Sequence, residues 1–85
     1  MDNKELLETI ALSKFERFKK VKELIYIRHH SIQILENLEV ECELLQVEIE
    51  YLISKYYDET YVIHFNMKYK NWELIPRWKV KDGKN

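Results

Sequence analysis

The consecutive histidines His29-His30 are the first residues in the chain that could do chemistry, as metal ligands. Neighbouring residues on a helix point about 100° apart, and no Cys or carboxylate stands at ligand spacing from the pair. The two therefore read as ordinary polar residues rather than a metal site. Cys42 is the single cysteine. It has no partner for an internal disulfide, and the flanking Glu41 and Glu43 oppose the thiolate that a reactive cysteine needs. His64 lies in an alternating segment on its polar side and reads as a surface residue. Six glutamates, Glu36, Glu39, Glu41, Glu43, Glu48 and Glu50, fall between His29 and Ser54, where there is no Lys or Arg. Such a ridge can imitate a phosphate backbone or attract a basic protein. Catalysis would need a shaped pocket around the carboxylates, which two helices and a ribbon rarely enclose. The expectation is therefore no enzyme, no catalytic residue, no metal and no cofactor. Glu36, Glu39, Glu43 and Glu50 form a candidate acidic surface for a partner.

The second constellation is aromatic and basic. Tyr61, Phe65, Tyr69, Trp72 and Trp78 stand among lysines near the C-terminus, a composition that suits stacking on single-stranded nucleic acid. Their alternation with polar residues sorts them onto one face, where a core or subunit interface is the simpler use, because large exposed apolar faces are rare. The opposite face then carries the charge. Lys68, Lys70, Arg77, Lys79 and Lys81 are the candidate contacts to phosphates or to a partner.

The elements that must position these residues follow from periodicity. Residues 3–28 read as a helix, with Leu7, Ile10, Ala11, Phe18, Val21 and Ile25 on one face, widened by Leu6, Phe15 and Leu24. Residues 31–57 read as a second helix, in which Leu35, Leu38, Cys42, Leu45, Ile49, Leu52 and Tyr56 keep a seven-residue repeat. The two stripes are out of phase across Arg28-His29-His30-Ser31. That break fits a tight turn with Ser31 capping the second helix. A single helix of residues 3–57, assembled as an antiparallel coiled coil, is the alternative. The turn is preferred because it makes two helices of similar length and lays the basic stretch Lys14–Arg28 beside the acidic one.

After Asp58-Glu59 the period becomes two. Strands are expected over 60–70 and 72–81, joined by a two-residue turn at Lys70-Asn71; Lys-Asn is not the favoured Asn-Gly pair, so a longer loop is the alternative. The pairs are then Tyr69 with Trp72, Met67 with Leu74, Phe65 with Pro76, Ile63 with Trp78 and Tyr61 with Val80. Pro76 lacks an N–H, so its nitrogen must face an open edge or a bulge. Residues 82–85 are expected to be a disordered tail. The stretch Leu45–Tyr57 resembles the second helix of the small two-helix sporulation aspartyl-phosphate phosphatases. Their signature Ser-Gln-Glu-Leu-Asp aligns with Gln46-Val47-Glu48-Ile49-Glu50. Glu stands here in place of the essential acid, so the resemblance carries no activity across.

The fold class expected is α+β, an antiparallel two-helix hairpin followed by a C-terminal β-hairpin (ααββ), as one domain over 1–85. At 85 residues with 46% hydrophobic and 34% charged residues, the chain suits a small folded domain. The longest apolar run, Leu24-Ile25-Tyr26-Ile27, is too short for a membrane span, so a cytoplasmic location is expected, in the host cell if the protein is viral. The net charge of −1 conceals an order of basic, acidic, basic along the chain. The leading expectation is a non-enzymatic interaction protein, a regulator or inhibitor of the kind phages and mobile elements encode. It would bind a larger host protein and would itself be a homodimer, whose ribbons could join edge to edge or whose seam could build a four-helix core. The alternative is nucleic-acid binding by the basic outer face of the hairpin.

Overall fold

The computed structural model describes residues 2–27 and 30–80. Arg28-His29, Lys81 and the tail 82–85 lie outside the described residues. The order of elements is α1 (Asn3–Tyr26), α2 (Ile32–Tyr57), β1 (Tyr61–Asn66), β2 (Asn71–Pro76) and a short 3-10 turn at Arg77–Lys79. This is the ααββ arrangement of a small α+β domain.

Each helix begins on a side-chain cap. Asp2 accepts the Glu5 N–H at 2.8 Å, and the Ser31 hydroxyl accepts the Ile34 N–H at 3.3 Å. At the end of α1 the Leu24 carbonyl accepts the Ile27 N–H at 3.1 Å and a ring nitrogen of His30 at 2.8 Å. His30 therefore finishes a helix. α2 ends at Asp58, whose φ of 56° places it in the left-handed region, and the Asp58 and Glu59 N–H groups close onto the Ser54 carbonyl.

The helices fold back on each other. Lys14 meets Glu48 and Arg17 meets Glu41, so numbers rise along one helix as they fall along the other. A single long helix is thereby replaced by a hairpin. Between them lie Ala11, Phe15, Phe18 and Val21 of α1 and Cys42, Leu45, Ile49 and Ile53 of α2, joined from the ribbon by Ile63. Phe18, Ile49 and Val21 are fully enclosed, each contributing about 1.5–3 kcal/mol of burial. Leu6 and Ile10, expected on the core face of α1, are exposed instead. They sit at the margin of the stripe, and the ribbon covers only one side of the helix pair.

The hairpin corrects the expected register. Phe65 pairs with Trp72, Ile63 with Leu74 and Tyr61 with Pro76. The strands are shorter than 60–70 and 72–81, and the connection is a four-residue loop at 67–70 rather than a two-residue turn at Lys70-Asn71. The cause is Asn66. Its side-chain oxygen accepts the N–H of Lys68 at 2.9 Å and of Tyr69 at 3.1 Å, and Lys70 closes the loop at φ 56°. Met67 and Tyr69 become exposed loop residues, and Trp78 moves into the 3-10 turn. Only Tyr61, Phe65 and Trp72 of the aromatic set stay on the strands' inner face. Trp72 meets Phe18 edge-on at 5.3 Å.

Candidate functional site

α2 carries two apolar stripes. One is its core side. On the opposite side Val40, Leu44, Val47 and Tyr51 recur at steps of four, three and four and are 55%, 60%, 68% and 59% exposed. At about 100° per residue these four fall within a narrow sector opposite Cys42, Leu45, Ile49 and Ile53. The spacing is that of a coiled-coil seam. An open stripe of four large apolar side chains on one helix is the kind of surface that marks an interaction site.

The seam has acidic flanks. Glu36 and Glu43 border one side and are exposed; Glu41 and Glu48 border the other, which ends in Lys55, 5.3 Å over the Tyr51 ring. Arg17 donates to both oxygens of Glu41, at 2.6 and 2.9 Å. That hydrogen-bonded guanidinium holds the Glu41 carboxyl below the ordinary carboxylate range and raises Arg17 further. Lys14 reaches Glu48 at 3.1 Å. Of the four acids singled out by sequence, Glu36, Glu39 and Glu43 are exposed on α2. Glu50 is not a free surface acid: its carboxylate accepts the Ile63 N–H at 2.8 Å and the Gln46 amide at 3.3 Å. Glu48 and Glu50, which align with the phosphatase signature, are therefore committed to Lys14 and to β1.

The basic candidates do not form one face. Lys68 and Lys70 lie in the loop at one end of the ribbon, and Arg77 and Lys79 in the 3-10 turn at the other. The strands between them span about 17 Å. Lys81 lies outside the described residues. The outward face of the strands instead carries Val62, His64, Asn66, Asn71, Glu73 and Ile75. There His64 lies 3.4 Å from Glu73, and Asn66 donates to both Glu73 oxygens. One loop lysine, Lys70, does meet other cations. With Lys19, Lys22 and Glu23 of α1, Lys70 borders a groove of about 300 Å³ walled by Tyr26, Phe65 and Trp72. Lys22 Nζ stands 5.0 Å over the Trp72 ring.

A second cavity of about 390 Å³ is lined by Gln46, Glu50, His64 and Arg77 together with Val62, Ile63 and Val80. Its carboxylate is held by the Ile63 N–H, whereas the His64 Nδ1, 3.4 Å from Glu73, is buried with no hydrogen-bond partner among the described residues. Among the described residues no group of three His, Cys, Asp or Glu is placed to hold a metal. Cys42 is buried, and its desolvation pushes the thiol above its ordinary value.

The outer seam was present in the sequence as Val40, Leu44, Val47 and Tyr51, but the stronger Leu38–Leu52 stripe on the same helix masks it. The groove had no sequence signal, because it joins α1 to a loop more than forty residues away. Fold and surface together describe a small α+β protein with an open apolar helix seam between acidic flanks. Comparison with protein-family models, with curated proteins and with solved structures finds no match.

Proposed function

We propose that the chain is a small non-enzymatic interaction protein, a cytoplasmic regulator or inhibitor of the phage or mobile-element kind, that binds a larger host protein through the outer seam of α2. The observation that carries this reading is the exposed stripe Val40, Leu44, Val47 and Tyr51. The flanks choose the occupant. An antiparallel second copy of α2 on this seam would set Glu43 against Glu50 and Glu41 against Glu48, and a parallel copy would set Glu43 against Glu48 and Glu36 against Glu41. Both bring acids together and add no opposite charge, although Glu41, Glu48 and Glu50 are already held by Arg17, Lys14 and β1, so the charge disfavours a second copy only weakly. A helix with an apolar stripe between lysines or arginines matches both the shape and the charge. Among the described residues no helix is long and apolar enough to cross a membrane.

The test is an NMR titration of the labelled protein with a synthetic amphipathic helix that has a leucine stripe and lysine flanks. Shifts should concentrate at Val40, Leu44, Val47 and Tyr51, and Val47→Glu should weaken binding at least tenfold. A peptide with glutamate flanks should not bind. Equal binding of both peptides, or no response at the seam, would sink the proposal. Sedimentation that finds a dimer dissociated by Val47→Glu would reassign the seam to a second copy. Nucleic-acid binding by the hairpin has less behind it, because Lys68 and Lys70 are separated from Arg77 and Lys79 by the length of the ribbon.

A further inference from the structure

We infer that the open edge of β2 accepts an extended acidic segment of a partner as a third strand, a site separate from the α2 seam. Residues in an antiparallel pair alternate between those that exchange backbone bonds with the neighbouring strand and those whose N–H and C=O point outward. The Arg77 N–H donates to the Thr60 carbonyl at 2.8 Å, which fixes the phase. Thr60, Val62, His64 and Asn66 face β2, while Tyr61 and Ile63 face away from it. Those two outward residues are already met by α2. The Ser54 hydroxyl accepts the Tyr61 N–H at 2.8 Å and donates to the Tyr61 carbonyl, and Glu50 accepts the Ile63 N–H at 2.8 Å. Ser54 and Glu50 are one helical turn apart, about 6 Å, which matches the two-residue repeat of a strand, about 6.8 Å. This edge is thus closed by side chains along Tyr61 and at the Ile63 N–H, while Phe65, which also faces away from β2, has no such contact among the described residues.

The same phase leaves the other edge open. Trp72, Leu74 and Pro76 stand opposite Phe65, Ile63 and Tyr61, so their backbone polar groups point away from β1. Trp72 and Leu74 each offer an N–H and a C=O, while Pro76 is buried. Among the described residues none of these groups has a hydrogen-bond partner. Pro76 carries no N–H to be left unpaired, so the edge has a defined end.

Beside Trp72, where this edge begins, lies the groove bordered by Lys19, Lys22 and Lys70 against Glu23, with Lys19 also 3.0 Å from Glu16, so positive charge stays in excess there. A strand added here would gain main-chain bonds to Trp72 and Leu74 and place alternate side chains toward those lysines. Acidic side chains at those positions complete the charge. A second copy does not match: its β2 brings one acid, Glu73, already held by Asn66, and adds another set of lysines. Tyr26, Phe65 and Trp72 wall the groove but do not supply the edge amides, which a peptide backbone uses and a nucleic acid does not need.

The experiment uses an acetylated, amidated heptapeptide of alternating Glu and Val, with amide hydrogen exchange read by NMR. At saturating peptide, exchange at Trp72 and Leu74 should slow at least tenfold. A Lys-Val peptide should leave it unchanged. Lys19→Glu with Lys70→Glu should weaken binding at least tenfold while circular dichroism stays the same. A chemically synthesised chain with an N-methyl group on the Leu74 nitrogen should lose binding with its charge intact. Val47→Glu on the α2 seam should bind the heptapeptide normally, so this site and the seam succeed or fail separately. Unchanged exchange at Trp72 and Leu74 with the Glu-Val peptide overturns the inference. Protection that rises with protein concentration alone assigns the edge to a second copy, and tighter binding of a ten-nucleotide oligothymidylate assigns the groove to nucleic acid; either result also overturns it.

Discussion

Three residues show how much single side chains decide in this protein. Asn66 accepts two loop N–H groups and donates to Glu73, so it sets the loop and the register together. Asn66→Ala should lower the unfolding free energy by about 1–2 kcal/mol, since each lost bond is worth roughly 0.5–1.5 kcal/mol net; urea denaturation measures it. Lys70 sits at φ 56°, where a Cβ costs energy. Lys70→Gly should therefore recover about 0.5–1 kcal/mol in the same assay. Glu41 makes the pH dependence. Its folded carboxyl lies below the ordinary range because of the Arg17 hydrogen bond. Its contribution is thus fully present above the unfolded value, about 4, and is lost as pH falls through the lower folded value. The stability difference between the wild type and Glu41→Gln should shrink steadily through that acid window, while at neutral pH it should not vary with pH. The pair is exposed, so the difference itself is small.

At the scale of elements, the sequence pattern was sufficient for the helices and for the faces of the strands. Spacings of three and four located α1 and α2, and alternation put Tyr61, Ile63, Phe65, Trp72 and Leu74 on one side. The register moved Phe65 from Pro76 to Trp72, a slip of four residues, and an even slip keeps every side chain on its face. That is why the inner face of the strands was legible although the pairing was not. The pairing depended on the Asn66 side chain binding backbone, a contact with no hydrophobic period. The seating of β1 was hidden for a related reason. Glu50 read as part of an acidic partner surface and Ser54 carried no signal, yet they bond the Ile63 and Tyr61 N–H groups on the strand's edge. Ser54→Ala should leave the Tyr61 N–H unpaired and cost about 1–3 kcal/mol. Hydrogen exchange at Tyr61 should accelerate more than at Val62, whose N–H stays bonded to β2. Equal acceleration at both would mean the whole ribbon, not its edge, had been loosened.

For the whole molecule, the question is which surface of α2 belongs to the fold and which is left for something else. Ile49 and Leu44 lie on the same helix, are of similar size, and point in nearly opposite directions; Ile49 is fully buried and Leu44 is 60% exposed. If the domain is complete as one copy, its stability depends on the first and not the second. Ile49→Ala should then cost about 2–5 kcal/mol through lost burial and a cavity, a large part of the total expected for a domain this size, roughly 4–13 kcal/mol. Leu44→Ala should stay within about 0.5 kcal/mol, as exposed substitutions do, and the value should not depend on protein concentration. A Leu44→Ala cost that grows with concentration would mean that a second copy covers the seam in the free protein. With the predicted contrast, α2 has one face that builds the domain and another that the domain does not need for folding. A surface of that second kind, lined with Val40, Leu44, Val47 and Tyr51, exposes apolar area for no structural gain, which is the physical reason to look for its function there.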